Sequence, residues 1–336
     1  MKIQINNRDI EVREGETLIE VAARAGIQIP SLCYAKGFSH KSSCMVCAVK
    51  DCANGQIIPS CSTLPIEGMR IDTESDDVML SRKLSLELLL SDHRADCEAP
   101  CSLVCPEGLD IEKMLEYYDT GQLSKAKEEI AKVFNLPQIA CETCKAPCEK
   151  ACRRGTVDKA VAIRSIIAEV VGKNPSPALH ILEGEVAAEI VMPASQHRPS
   201  KPDKNIFCSR LGRFTEGERD TLKSTVTTSS RCLHCACAGR TGCKLRLYAT
   251  SDGIKRSRYE TSSSQPAMTR QHVAGNIWFE PAKCISCGLC VYNSKNGFTF
   301  KDRGFVMQVV LPEGNAKNIN EQLTEICPTG ALYTRK

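Results

Sequence analysis

The chain has 336 residues, 42% hydrophobic, 25% charged and only 5% aromatic, which excludes a fibrous or low-complexity protein and allows two or three compact domains. No apolar run approaches the roughly 20 residues that span a bilayer. The opening Met1-Lys2-Ile3-Gln4-Ile5 lacks the apolar stretch of a secretory signal, so a cytoplasmic protein without a transmembrane segment is expected. The formal net charge of +4 does not mark a nucleic-acid binder, because the charges are interspersed and the 21 cysteines turn the balance acidic wherever they ligate as thiolates. These cysteines fall in tight clusters, whereas disulfide partners are usually distant in sequence. Clustered thiolates in a reducing compartment point to metal or iron–sulfur binding.

Ile3 and Ile5 alternate before Asn6-Asn7-Arg8-Asp9, and Ile10 and Val12 alternate after it, which predicts a hairpin. Thr17-Leu18-Ile19-Glu20 reads as a capping box opening a helix that Gly26 ends. Cys33, Cys44, Cys47 and Cys61 follow, spaced C-x10-C-x2-C-x13-C. Three near-adjacent thiolates with a fourth further on suit a [2Fe–2S] cluster, though not at the C-x4-C-x2-C spacing of plant ferredoxins. Structural zinc is the alternative. The spacing resembles the N-terminal β-grasp domain shared by the large iron–sulfur subunit of respiratory complex I and iron-only hydrogenases. Glu67-Gly68-Met69-Arg70 and Leu88-Leu89-Leu90-Ser91-Asp92-His93 extend that resemblance.

The second group opens with Cys97-x3-Cys101-x3-Cys105-Pro106. Two helices are predicted next, one with Ile111, Met114, Leu115 and Tyr118 on its apolar face, the other with Leu123, Ala126, Ile130 and Val133. Cys141-x2-Cys144-x3-Cys148-x3-Cys152 leads into Arg153-Arg154-Gly155, and a helix is expected over 156–171. These motifs, with Gly108-Leu109-Asp110-Ile111 and Val161-Ala162-Ile163-Arg164, are similar to the α-helical ferredoxin domain of the glutamate synthase small subunit and of dihydropyrimidine dehydrogenase. That resemblance implies two [4Fe–4S] clusters with ligands exchanged between the motifs. One would take Cys105, Cys144, Cys148 and Cys152. The other would take Cys97, Cys101 and Cys141, with His93 as candidate fourth ligand and Cys52, Cys208 and Glu98 as alternatives.

The third group, Cys232-x2-Cys235-x-Cys237-x5-Cys243, suits one [4Fe–4S] cluster or one tetrahedral zinc, and iron–sulfur is favoured by the company of the other groups. His234 is expected to be a hydrogen-bonding neighbour. The fourth group, Cys284-x2-Cys287-x2-Cys290 with Cys327-Pro328, resembles half of a bacterial ferredoxin and implies one further [4Fe–4S] cluster. Short strands are expected at 298–300 and 305–310. Segments 174–177 and 193–203 read as linkers, and 261–266 as a Ser-rich loop.

Neither G-x-G-x-x-G nor a phosphate-binding loop occurs, so no nucleotide or flavin site is expected on this chain, and no nucleophile–base motif suggests a catalytic residue. The expected fold class is α+β. It divides into a β-grasp [2Fe–2S] domain at 1–80, an α-helical domain with two [4Fe–4S] clusters at 81–172 and a lobe of unassigned role at 173–230. A C-terminal domain at 231–336 follows, ferredoxin-like from 276. The resemblances imply an electron-relay subunit of a hetero-oligomeric NAD(P)H-linked oxidoreductase. FMN and NAD(H) would sit on an NADH-oxidising flavoprotein partner, with ferredoxin, hydrogenase or another reductase at the far end. The alternatives are a soluble cluster carrier or redox sensor, or a relay for a glutamate synthase-like or formate-linked enzyme.

Overall fold

A computed structural model describes residues 1–93, 97–136, 140–172, 232–237, 242–254 and 270–334. Cys208, the two linkers and the Ser-rich loop lie outside the described residues. The chain divides into two compact units, one of Met1–Arg94 with Ala238–Lys336 and one of Ala95–Cys237. The C-terminal region expected at 231–336 is therefore shared between the two.

In the first unit, β1 (Lys2–Ile5) and β2 (Arg8–Glu11) pair antiparallel with Ile5 opposite Arg8. The turn is tighter than the four-residue stretch expected. Asn6 and Asn7 alone make it, at φ 51° and 62°, a left-handed pair that asparagine tolerates and whose twist matches a hairpin. Helix α1 (Leu18–Arg24) opens on the expected capping box, with the Thr17 amide donating to the Glu20 carboxylate at 2.9 Å. Gly26, at φ +77°, ends it. Strands β3 (Ala48–Asp51), β4 (Ile57–Pro59) and β5 (Arg70–Asp72) complete a sheet of order β2-β1-β5-β3-β4, in which only β1 and β5 run parallel. Ile3, Ile5, Leu18, Val21, Val49 and Ile71 form its core. Burying each of these aliphatic side chains contributes about 1.5–3 kcal/mol before chain entropy is set against it. Helix α2 (Asp76–Asp92) follows and lies against β3 and β4.

The second unit holds α3 (Pro100–Leu103), α4 (Ile111–Asp119), α5 (Leu123–Ala131), α6 (Pro147–Lys150) and α7 (Ile163–Val170). Helices α4 and α5 pair as a hairpin around Ile111, Met114, Leu115, Ala126 and Ile130, as the periodicity predicts for these positions, whereas Leu123, expected on the same face, is exposed at the start of α5. The last helix starts later than expected. A single 3-10 turn, Arg153–Thr156, comes before it, and residues 157–162 are not helical. The Asp158 carboxylate accepts from the Arg154 guanidinium at 2.6 and 2.7 Å and from the Lys159 amide at 2.6 Å, and these local bonds compete with helix continuation.

The first unit resumes with α8 (Lys244–Ser251), β6 (Gln271–Ala274), β7 (Ile277–Phe279), α9 (Leu289–Asn293), β8 (Thr299–Lys301), β9 (Gln308–Val310), α10 (Gln322–Glu325) and β10 (Leu332–Thr334). Strands β10, β7 and β6 form one sheet, and β8 pairs with β9. The strand expected at 305–310 is shorter because Gly304–Val306 makes a 3-10 turn. Phe279, Phe298, Val309, Leu323 and Leu332 form the core here. Within this unit Asn293 clasps the loop between Cys33 and Cys44: its Oδ1 accepts from the Ser39 amide at 2.9 Å and its Nδ2 donates to the Ser39 carbonyl at 2.7 Å. Among the described residues, no helix is long and apolar enough to cross a membrane. The mixed sheet and helix content makes the fold α+β.

Candidate metal centres

The loop between α1 and β3, with the turn after β4, brings Cys33, Cys44, Cys47 and Cys61 together, all nearly inaccessible to solvent. Their thiols form a continuous chain of contacts, Cys44 to Cys33 to Cys61 to Cys47. Cys33 is pulled well below the usual thiol range by hydrogen bonds from Cys44 and Cys61. Those two are pushed up as donors in the same contacts, with burial adding to the effect. A hydrogen bond from Cys61 lowers Cys47 to about 6. Four sulfurs that share protons this closely form a donor set suited to iron, which would displace the protons. The Ser42 hydroxyl lies 3.4 Å from the Cys61 sulfur, and a ring nitrogen of His40 lies 3.1 Å from the Cys61 carbonyl. From α2, the buried Arg82 guanidinium donates to the Ala48 carbonyl at 2.7 and 3.0 Å and sets its charge beside Cys47.

In the second unit, Cys105, Cys141, Cys144 and Cys148 line one cavity of about 260 Å³. That is far more than the ~10–15 Å³ one water requires by the same measure. Burial pushes Cys141 up to about 11 and Cys148 up to about 12, with neighbouring negative charge, including Cys105, adding to both. The sequence expected Cys152 here and placed Cys141 with Cys97 and Cys101. The structure groups them differently because α6 ends at Lys150. Cys152 stands beyond it, at the entry to the 3-10 turn, while Cys141 precedes α6 on the side of Cys105.

Cys152 instead lines a tighter cavity, of about 20 Å³, together with Cys101, Cys232 and Cys235. Burial raises Cys101 well above the ordinary thiol value, and the charges of Cys232, Cys152 and Cys235 push in the same direction. Of the group expected over 232–243, Cys232, Cys235 and Cys237 belong to the second unit and Cys243 to the first. Cys232 and Cys235 face Cys101 and Cys152, the Cys237 amide donates to the Cys97 carbonyl at 3.3 Å, and Cys243 caps α8 in the first unit, accepting from the Arg246 amide at 3.4 Å. His93 is a buried residue at the C-terminus of α2, Cys97 is buried in the second unit, and Glu98 is half-buried. Cys52 is exposed just past β3. His234 bridges to the helical hairpin, with Nε2 3.1 Å from Asp119 and Nδ1 3.4 Å from Glu112. Burial opposes its charge, but the bonds to Asp119, Cys232 and Glu112 prevail and raise it to about 12.

The C-terminal loops of the first unit gather Cys284, Cys287, Cys290 and Cys327. Burial raises Cys284 to about 12 and raises Cys287 and Cys290 as well, and each of these three also feels the charge of Cys327. Cys287 further feels Cys33. The Ser286 amide donates to the Cys284 sulfur at 3.3 Å and the Leu332 amide to the Cys327 sulfur at 3.4 Å. Among the described residues, no group of three or more His, Cys, Asp and Glu side chains is arranged to hold a single metal ion. The grouping of Cys101 with Cys232 is not legible in the sequence, where the only signal is the C-x2-C spacing that Cys232–Cys235 shares with Cys284–Cys287.

Two known domains match the chain: a 2Fe-2S iron-sulfur cluster binding domain over residues 1–76, and domain II of dihydropyrimidine dehydrogenase, with a 4Fe-4S cluster, over residues 91–174. The chain is 32% identical over 166 residues to HndD, a subunit of the NADP-reducing hydrogenase of Solidesulfovibrio fructosivorans, covering 45% of this chain and 27% of that one. It is 27% identical over 134 residues to the 75 kDa subunit of the NADH-ubiquinone oxidoreductase of Reclinomonas americana, covering 39% and 19%. Against the gamma subunit of the NAD-reducing hydrogenase HoxS of Cupriavidus necator, identity is 31% over 97 residues, covering 29% and 41%. The matched regions thus take in less than half of these relatives' lengths. The fold is similar to a chain in the crystal structure of an NAD+-reducing [NiFe]-hydrogenase in the H2-reduced state, with TM-score 0.50 and 15% identity over 99% of this chain and 87% of that one. The chain therefore carries a [2Fe–2S] domain followed by a helical [4Fe–4S] domain and resembles the iron–sulfur subunits of NADH-quinone oxidoreductases and of NAD(P)-linked hydrogenases.

Proposed function

We propose that this chain is a multi-cluster electron relay within an NAD(P)H-linked oxidoreductase complex, carrying single electrons between a flavoprotein that oxidises NADH and a terminal reductase, hydrogenase or ferredoxin. The observation that carries this reading is the gathering, among the described residues, of sixteen cysteines into four separate four-thiol groups, none of them exposed. A bound iron–sulfur cluster supplies one-electron chemistry through the valence of its irons. The protein's own part is to bury the sulfurs, to donate backbone N–H groups to them and to set nearby charge such as Arg82. In the first unit the ligands would be Cys33, Cys44, Cys47 and Cys61 for a [2Fe–2S] cluster, and Cys284, Cys287, Cys290 and Cys327 for a [4Fe–4S] cluster. In the second, Cys105, Cys141, Cys144 and Cys148 would hold a [4Fe–4S] cluster in the larger cavity.

Support for the NAD(P)H link comes from the relatives, which are parts of NAD(P)-reducing hydrogenases and of an NADH-oxidising complex. FMN and NAD(H) would belong to the partner subunit. The test is purification from the native cells without oxygen under mild conditions. A co-purifying flavoprotein with NADH-dependent dye reduction is the expected result. A cluster-bearing chain that comes alone points to a carrier or sensor instead, and zinc in place of iron overturns both.

A further inference from the structure

We infer that Cys232 and Cys235 are ligands of the helical unit's own second centre, completing with Cys101 and Cys152 a four-thiolate iron–sulfur site built from segments about 80 residues apart in sequence. The inference rests on the iron–sulfur reading of the helical unit and adds a ligand source outside the matched domain, which ends at residue 174. Without Cys232 and Cys235, the cavity beside Cys101 and Cys152 has only two thiols, too few for a cluster held by four thiolates.

Two independent features of the Cys232–Cys235 loop support it. The first is its backbone. His234 takes φ +46° and its amide donates to the Cys232 sulfur at 3.4 Å, while Ser286 takes φ +51° and its amide donates to the Cys284 sulfur at 3.3 Å. Positive φ at a residue other than glycine is uncommon, so the same turn in two C-x2-C loops marks a shared requirement. The requirement is to direct an amide at a sulfur that must carry negative charge. The second is anchoring. The His234 ring, held between Asp119 and Glu112, fastens the loop to α4, so both thiols are presented to the cavity by a fixed support. Metal binding would release the thiol protons. The space of about 20 Å³ is smaller than a cluster, so binding one would require the thiol side chains to rotate outward.

The test compares Cys101→Ser, Cys232→Ser and the double variant in the full chain prepared without oxygen, by iron analysis and by electron paramagnetic resonance of the reduced protein. If the two cysteines serve one cluster, each single variant loses about four irons and the double variant loses the same four. A double variant that loses about eight, or a Cys232→Ser protein that loses none, overturns the shared site. Zinc bound at these thiols overturns the cluster. Should serine variants unfold the helical unit, Cys101→Asp and Cys232→Asp retain an anionic ligand. Both are expected to alter the same resonance signal, and changes in two different signals refute the inference. Wild-type protein with no iron in the helical unit would instead defeat the iron–sulfur reading on which this one stands.

Discussion

Arg82 is the one side chain of α2 that brings a buried positive charge to the first four-thiol group, held there by two hydrogen bonds to the carbonyl that follows Cys47. A positive charge beside a cluster favours its reduced, more negative state. Arg82→Gln is therefore expected to lower the reduction potential of the [2Fe–2S] cluster, read by a redox titration of its resonance signal, with Arg82→Lys closer to wild type. Cys52 behaves in the opposite way to the ligand thiols, because it is exposed. An alkylating reagent should modify it in the intact protein with no loss of iron, and iron loss on Cys52 modification would make it a ligand. Glu16 shows how local charge tunes the scaffold. Hydrogen bonds from Arg24 and from the Arg13 amide lower its carboxyl to about 2. Its contribution to stability is fully present above the ordinary carboxylate value near 4.5 and is lost as the pH falls through about 2. A proton titration followed by NMR should give Glu16 a midpoint near 2, and Glu16→Gln should remove that part of the acid dependence.

At the scale of elements, the C-terminal cluster loop depends on one glycine. Gly288 opens α9 at φ +79°, and an added Cβ would stand 2.6 Å from Tyr292 Cε2 and 2.9 Å from Phe300 Cζ. Gly288→Ala combines left-handed strain with overlap, so a destabilisation of at least about 1–3 kcal/mol is expected. Thermal melting and iron occupancy at Cys284, Cys287, Cys290 and Cys327 would measure it. At the other end of α9, Asn293 holds the Ser39 backbone through both of its amide atoms, and Cys287 already senses the charge of Cys33. In the fully reduced protein the two centres of the first unit should show magnetic interaction in their resonance spectra. Asn293→Ala should weaken that interaction while leaving the iron content unchanged.

At the scale of the whole molecule, the sequence expects one two-iron and four four-iron clusters, about 18 irons in all. The four four-thiol groups would take about 14 of them as one two-iron and three four-iron clusters. His93 and Cys97, expected with Cys101 and Cys141, and Cys237 and Cys243, expected with Cys232 and Cys235, lie outside those groups. Iron analysis of the wild type is expected to give about 14, and Cys97→Ser is expected to leave that number unchanged.

Local chemistry makes much of this legible without a structure. The Thr17–Glu20 box, the existence of the hairpin around Asn6 and the 3.6-residue apolar period of α4 and α5 depend on residues within a few positions of one another, so their sequence is enough to specify them, though not the two-residue length of the turn. The C-x2-C spacings likewise bring thiols together through a single turn, which is why Cys44 with Cys47 and Cys284 with Cys287 belong together on spacing alone. What spacing could not decide was which distant thiols close each group. Cys141 and Cys152 flank the short helix α6 on opposite sides, and only the packing of α3, α6 and α7 sends one to Cys105 and the other to Cys101. The placement of Cys232 and Cys235 follows from the anchoring of His234 on α4, across more than a hundred residues of chain. The sequence by itself therefore determined that this protein gathers thiols for iron in compact loops. Which distant loops come to lie side by side was left to the tertiary fold, because bringing thiols together over long sequence separations is a matter of packing rather than of local propensity.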